Sequence, residues 1–138
     1  MSRKTFVIFG LVVVFLAVLI PWLAFRADGD AERGALEVPA GLEEGQTLFQ
    51  DNCGNCHTLY AAGTDGNFGP DLDITLAENG LPEGEGAAET IEATKGRVLN
   101  AIEKGIDGTE PGRMPGGILS GEQAEEVAEF VAHTAGSG

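Results

Sequence analysis

Cysteine, methionine and basic residues are scarce in this chain. Its 138 residues include two Cys and two Met, and 8 Lys and Arg oppose 22 Asp and Glu, for a formal net charge of -14. The two cysteines lie only three positions apart, so they cannot build the disulfide framework of a secreted fold. We expect no nucleic-acid partner, because binding nucleic acid requires Lys and Arg to neutralise phosphates. An acidic domain instead suits proteins with basic docking faces.

The N-terminus is the segment without acidic residues. Residues 5–25 form an uncharged run of 21 residues, which as a helix spans about 31 Å, close to the thickness of a bilayer core. Arg3 and Lys4 precede the run and Arg26 follows it, which favours a cytoplasmic N-terminus. A cleaved signal peptide is the alternative, but the run is long for one and no small-residue cleavage site follows. We predict a single transmembrane helix in an anchor over residues 1–26.

The rest of the chain divides into a linker and one domain. Residues 27–41 are rich in charge, Gly and Ala without an apolar period, which indicates a flexible linker. Residues 42–138 form the predicted domain, an all-α fold with helices over 42–52, 87–104 and 120–134. The intervening stretches 58–85 and 106–119 are long and irregular, which is unusual in a small compact domain. A large apolar ligand that these loops wrap would explain both features.

Local signals refine the three helices. Gly45 and Phe49 share one face of the first helix. Gly105 is a plausible C-cap of the second, and Ser120 with Gln123 forms a capping box at the start of the third. The apolar face of the third helix contains Ala124, Val127, Ala128, Phe130 and Val131.

The motif Cys53-Gly54-Asn55-Cys56-His57 carries the chemistry. Its spacing is typical of covalent haem attachment, in which two thiols bond the porphyrin vinyl groups and the following His lies under the iron. A thiol–disulfide redox pair would need a βαβ context, and a zinc site would need further ligands. We predict one covalently bound haem c, with Cys53 and Cys56 as thioether residues and His57 as the proximal iron ligand.

The distal iron ligand is open to several candidates. Met1 and Met114 are the methionines of the chain, so a sulfur ligand in the folded domain is Met114, in a Gly-rich loop before the last helix. His133 is the main alternative, and Lys95, Lys104 or an open site are others. We predict Met114 as the distal ligand.

Residues 42–135 resemble a class I c-type cytochrome. Gly45 and Phe49 match the Gly and aromatic of the family's first helix, which crosses the last helix near an aromatic residue, here Phe130. Residues 69–72, Gly-Pro-Asp-Leu, resemble the segment in which a proline carbonyl accepts a hydrogen bond from the proximal His, a role the resemblance gives to Pro70. The stretch 74–89 departs from the family as an acidic, Gly-rich insertion.

The resemblance implies a small helical domain wrapped around one haem, here behind the transmembrane helix. Such a membrane-anchored monohaem cytochrome would be a one-electron carrier, not an enzyme, in a respiratory or related chain. Its partners would be a quinol-oxidising complex and a terminal oxidase or similar protein with basic faces. It would cross the bacterial cytoplasmic membrane once, with its haem domain on the periplasmic side. Two alternatives are a fixed haem subunit of a larger respiratory complex and a haem enzyme or gas sensor.

Overall fold

The computed structural model of the protein describes residues 3–26, 38–78, 80–108 and 112–138. These residues fall into two units, one made by the N-terminal helix and the other by a mostly helical domain. The elements, in chain order, are α1 (Arg3–Arg26), α2 (Glu43–Asn52), β1 (Thr58–Leu59), a 3₁₀ turn (Tyr60–Ala62), β2 (Thr64–Asp65), α3 (Leu72–Leu76), α4 (Ala87–Lys104) and α5 (Glu122–Thr134).

The N-terminal helix is confirmed as a helix but not as a membrane span. α1 is 24 residues long, and large apolar side chains such as Phe9, Leu11 and Phe15 are exposed on it. Among the described residues, no helix reaches the combination of length and apolar character that crossing a membrane requires. The predicted transmembrane helix is therefore not confirmed. The predicted linker, 27–41, falls mostly on residues 27–37, which lie outside the described residues.

The domain core forms where α2 and α4 pack against α5. Phe49 of α2 and Phe130 of α5 are almost completely buried, and their ring centroids lie 6.1 Å apart at an interplanar angle of 60°. The predicted apolar face of α5 is confirmed, since all five of its members are buried. The domain is therefore built around its last helix, as the apolar periodicity indicates.

Both ends of α4 agree with the sequence, whereas the start of α5 does not. α4 spans the predicted residues, and the backbone N–H of its C-cap, Gly105, donates to the carbonyl of Ala101. The capping box of Ser120 and Gln123 is wrong, because Gly121 is the N-cap of α5 and no side chain caps that end. Gly121 has a φ of 60°, a conformation that Ser would adopt at a cost.

The stretch 58–85 is more regular than predicted. β1 and β2 pair in antiparallel register, with Leu59 opposite Thr64, around the 3₁₀ turn. The short α3 follows, with Asp71 as its N-cap. Strands of two residues have no detectable period, so only pairing in the folded chain identifies them.

Candidate functional site

The segment that carries the motif begins where α2 ends. Cys53 is the C-cap of α2 and is buried, whereas Cys56 is exposed. The backbone N–H groups of Cys56 and His57 both donate to the carbonyl of Cys53, at 3.0 and 2.9 Å. This turn brings the two thiols and the imidazole onto one short piece of backbone directly behind a packed helix, which is the arrangement that the motif predicts.

The His57 ring is oriented by the segment that precedes α3. Its Nδ1 donates to the carbonyl oxygen of Pro70 at 2.9 Å. A Cβ on Gly69 would lie 2.7 Å from the same nitrogen, so the backbone of Gly69 packs directly on the ring. Because Nδ1 carries the proton, Nε2 keeps its lone pair, and imidazole in this tautomer is a metal ligand. The contact between His57 and Pro70 that the resemblance implies is therefore present.

The segment from 64 to 69 contacts the backbone of the motif. The sequence did not predict these contacts. The Thr64 hydroxyl donates to the carbonyl of His57 at 3.0 Å, and the backbone N–H of Gly69 donates to the carbonyl of Cys56 at 2.7 Å. A Cβ on Gly66 would lie 2.6 Å from the carbonyl carbon of Cys56, so Gly66 permits this close approach. Thr64 and Gly66 had no motif to mark them, because their contacts depend on the hairpin.

Cys53 and Cys56 form no disulfide with each other, and Cys53 lies in an environment that disfavours its thiolate. Burial, with a smaller contribution from Cys56, raises the pKa of Cys53 to about 11. A disulfide-exchange nucleophile needs the opposite shift, because the thiolate is the reactive species. In the part of the chain that the structure describes, no three His, Cys, Asp or Glu side chains form a group that could hold a metal ion. The burial of Cys53 therefore argues against this residue as a disulfide-exchange nucleophile.

Met114 lies on a different loop, which follows α4 and bonds back to it at Gly117. Its backbone N–H donates to the carbonyl of Ile106 at 3.2 Å and its carbonyl accepts from Ile106 at 3.0 Å. Further along, the N–H of Gly117 donates to the carbonyl of Ile102 at 2.7 Å. The Met114 side chain is half-buried and packs against the domain core. Residues 109–111 of this loop lie outside the described residues.

His133 and Lys95, two of the alternative distal ligands, both bond to one carboxylate on α5. Glu129 accepts from His133 at 3.0 Å and forms an ion pair with Lys95 of α4 at 2.5 Å. The hydrogen bond with Lys95, supported by that with His133, lowers the pKa of Glu129. The same bond raises the pKa of Lys95. The structure thus places His133 and Lys95 on one carboxylate between α4 and α5, while Lys104 is exposed at the end of α4.

These residues fit a covalently attached haem. The two free thiols stand at the required spacing beside an imidazole whose Nδ1 is already bonded, and a half-buried thioether lies on a separate loop. Residues 42–135 match the Cytochrome c family. No curated protein and no solved structure matches the chain significantly. The family match covers more than half of the chain, so the protein belongs to the cytochrome c family, carries covalently bound haem c and takes part in haem-based electron transfer.

Proposed function

We propose that the protein is a one-electron carrier in which Cys53 and Cys56 form the thioethers and His57 and Met114 are the axial iron ligands. The observation that carries this proposal is the 2.9 Å hydrogen bond from His57 Nδ1 to Pro70. It selects the tautomer with a free Nε2 lone pair and increases the basicity of the ring, as partners of metal-bound imidazoles do. When bound, the haem supplies a one-electron couple between ferric and ferrous iron.

The surroundings of the competing ligands support Met114. Glu129 pairs with Lys95 and accepts a hydrogen bond from His133. Using Lys95 as a ligand would therefore break an ion pair, and using His133 could break that hydrogen bond. Among the residues that the structure describes, no ion pair or side-chain hydrogen bond competes for Met114, and its side chain packs against the core. With His57 and Met114 both engaged, the iron has no open position for a substrate, which favours transfer of electrons over chemistry on a bound molecule.

Several apolar side chains are suited to enclose the haem. Ile102 is buried, while Leu72, Val98 and Leu99 pack against the core but remain half-buried. Phe68 and Ile118 are more exposed, at 54% and 37%. We propose that these six residues line the haem. The five that are partly exposed gain free energy when a large apolar group covers them, and the buried Ile102 lies among them on α4.

The acidic surface supports a partner with a basic face. All 22 acidic residues lie after residue 26, against five of the basic ones. We propose a quinol-oxidising complex as donor and a terminal oxidase or similar protein as acceptor within a respiratory chain. Charge attraction across such an encounter is screened by salt. The second-order rate constant for reduction by a basic partner should therefore fall as ionic strength rises. A rate constant independent of salt would refute the proposed charge attraction.

We propose further that α1 holds the domain at the outer side of a bacterial cytoplasmic membrane. Its exposed apolar side chains and the two basic residues before residue 5 support this location. Carbonate washing of isolated membranes gives the test. Full-length protein should remain in the membrane pellet, while a variant that lacks residues 3–26 should be released with the soluble fraction. Release of the full-length protein by carbonate would contradict the proposal that α1 anchors the domain to a membrane.

The optical spectrum of the holoprotein tests the ligands. Wild type should give a low-spin c-type spectrum with the weak far-red band of sulfur-to-iron ligation and should not bind carbon monoxide. Met114→Ala should lose that band and bind carbon monoxide in the ferrous form. His133→Ala is the matched control and should keep the wild-type spectrum. A low-spin wild-type spectrum without the band, with carbon monoxide binding gained by His133→Ala and not by Met114→Ala, would make His57 and His133 the pair. Carbon monoxide binding by wild type would favour an enzyme or sensor.

A further inference from the structure

Asp73 of α3 joins three parts of the domain. Its Oδ2 accepts a hydrogen bond from the backbone N–H of Tyr60 at 2.7 Å, just after β1. Its Oδ1 accepts from the backbone N–H of Gly136 at 2.8 Å, beyond the end of α5. Hydrogen bonds to an ionised carboxylate are roughly twice as strong as neutral ones. One side chain thus connects the segment after the motif, α3 and the C-terminal tail.

The bond between Tyr60 and Asp73 joins the same two stretches of chain as the bond between His57 and Pro70. His57 bonds to Pro70 and Tyr60 bonds to Asp73, and each pair is separated by thirteen positions in the chain. Residues 57–60 and 70–73 therefore run side by side, with a hydrogen bond at each end. The second bond limits how far the Pro70 carbonyl can move away from the His57 ring.

The link to Gly136 attaches this pair of segments to the core. Gly136 has a φ of 90°, and a Cβ on it would lie 2.7 Å from the Cβ of Ala77 and 2.6 Å from the carbonyl carbon of Gly80. The tail therefore packs closely on the segment after α3. α5 is the most deeply buried of the described helices. The bond from Gly136 to Asp73 therefore restrains the segment that contains Pro70 against the core.

We propose that Asp73 is a positioning residue for His57, keeping the Nδ1–Pro70 bond closed and so setting the donor strength of the imidazole. This inference rests on the proposed role of His57 as proximal ligand. A loosened bond would make the imidazole a weaker donor and stabilise ferric iron less, which raises the reduction potential. Loss of the Asp73 charge changes the potential in the same direction, so the potential alone does not separate position from charge.

The rate at which the His57 Nδ1 proton exchanges with solvent separates the effect of position from the effect of charge. It is measured by ¹⁵N NMR on the ferrous holoprotein, whose low-spin iron is diamagnetic. In Asp73→Ala both backbone links are lost, and this proton should exchange about tenfold faster than in wild type, with a raised reduction potential. Asp73→Asn loses the same charge but keeps one acceptor oxygen, so its exchange rate should lie between the two.

Asp71→Ala is the matched control. Asp71 carries the same charge two residues earlier. In the described part of the chain its side chain accepts from the N–H of Ile74 alone, which lies within α3. This variant removes a charge and a helix cap without cutting either link of Asp73, and its exchange rate should stay within about twofold of wild type. Equal acceleration in Asp71→Ala and Asp73→Ala, or none in Asp73→Ala, overturns the inference. If Asp73→Ala does not fold, exchange in Asp73→Asn no faster than in Asp71→Ala overturns it equally.

The NMR spectrum of the wild-type protein tests separately whether His57 is the proximal ligand. Ring protons of a His bound to haem iron have large ring-current shifts. If the His57 signals lack these shifts in wild type, the proposed axial ligation fails whatever the Asp73 variants do. If they are present, the variant series decides on Asp73 alone.

Discussion

Gly45 of α2 lies so close to Phe130 of α5 that a Cβ on the glycine would be 2.7 Å from the Phe130 Cβ and would also meet the backbone carbonyl of Glu126. The two helices can approach this closely only because Gly45 has no side chain. The contact places Phe49, one turn further along α2, against the Phe130 ring. The crossing therefore fixes the position of α2 against α5, and the motif begins at the C-cap of α2.

Gly45→Ala should destabilise the holoprotein, because the added methyl forces the two helices apart. We expect a loss of about 1–3 kcal/mol in the free energy of unfolding, typical of overpacking. Urea titration followed by circular dichroism measures it. Gly96→Ala is the matched control: Gly96 lies within α4 with nothing near its Cβ position, so this change should stabilise by roughly 0.5–1 kcal/mol. A neutral result for Gly45→Ala would contradict the close crossing.

Gly69→Ala should disturb the proximal ligand. The new methyl would occupy space now held by the His57 ring, whose Nδ1 lies 2.7 Å from the Cβ position. We expect the Nδ1–Pro70 bond to lengthen, the reduction potential to rise and unfolding to become easier by about 1–3 kcal/mol. Potentiometric titration of the haem absorbance measures the potential, and Gly96→Ala should leave it unchanged. An unaltered potential in Gly69→Ala would mean that the ring does not depend on this contact.

Phe68 links the loop before Pro70 to the loop that carries Met114. A Cβ on Gly112 would lie 2.8 Å from the Phe68 Cζ, so the ring packs on the backbone two residues before Met114. Phe68→Ala should loosen the Met114 loop and let added imidazole displace the sulfur ligand with about threefold to tenfold higher apparent affinity, since about 1 kcal/mol of packing is lost. Optical titration of the ferric protein measures this. Tyr60→Ala removes an aromatic side chain of comparable exposure that lies against Gly138 instead, and it should not change the imidazole affinity.

The ion pair of Lys95 and Glu129 should make stability depend on acid pH. The pKa of Glu129 is lowered in the folded state, chiefly by the Lys95 hydrogen bond. The stabilisation is therefore present above the unfolded pKa of about 4.3 and is lost as pH falls through the folded value. Glu129→Gln should reduce stability by about 0.2–1 kcal/mol near neutral pH, as expected for a partly exposed pair. The difference from wild type should vanish at low pH.

Denaturant titrations at pH 7 and at low pH check this dependence. Glu103→Gln, at an exposed position near the end of α4, serves as the charge-matched control and should show no comparable loss. A deficit in Glu129→Gln that persists unchanged at low pH would indicate that packing, not the ion pair, supplies the stabilisation.

Local signals in the sequence predicted the three main helices and the centre of the site. The apolar periods of α4 and α5 repeat over several turns, which identifies them as helices. α2 was predicted from its acidic first turn and from Gly45 and Phe49, one turn apart, and both of these residues are buried. The motif at Cys53, Cys56 and His57 is equally local, because its chemistry needs those residues at that spacing on one stretch of backbone. Gly105 was predicted as a C-cap because a glycine ending a helix is itself a local signal.

Only the tertiary structure decided which distant groups meet. β1 and β2 are too short to have a period, and the hydroxyl of Thr64 reaches His57 only after the hairpin closes. The start of α5 at Gly121, rather than at a Ser120 cap, depends on a backbone conformation that glycine tolerates best. Asp73 is one of 22 acidic residues in the sequence, and nothing beside it in the chain marks it. Its importance arises because folding brings Tyr60 and Gly136, thirteen and 63 positions away, to its two oxygens, and no pattern of neighbouring residues encodes such a meeting.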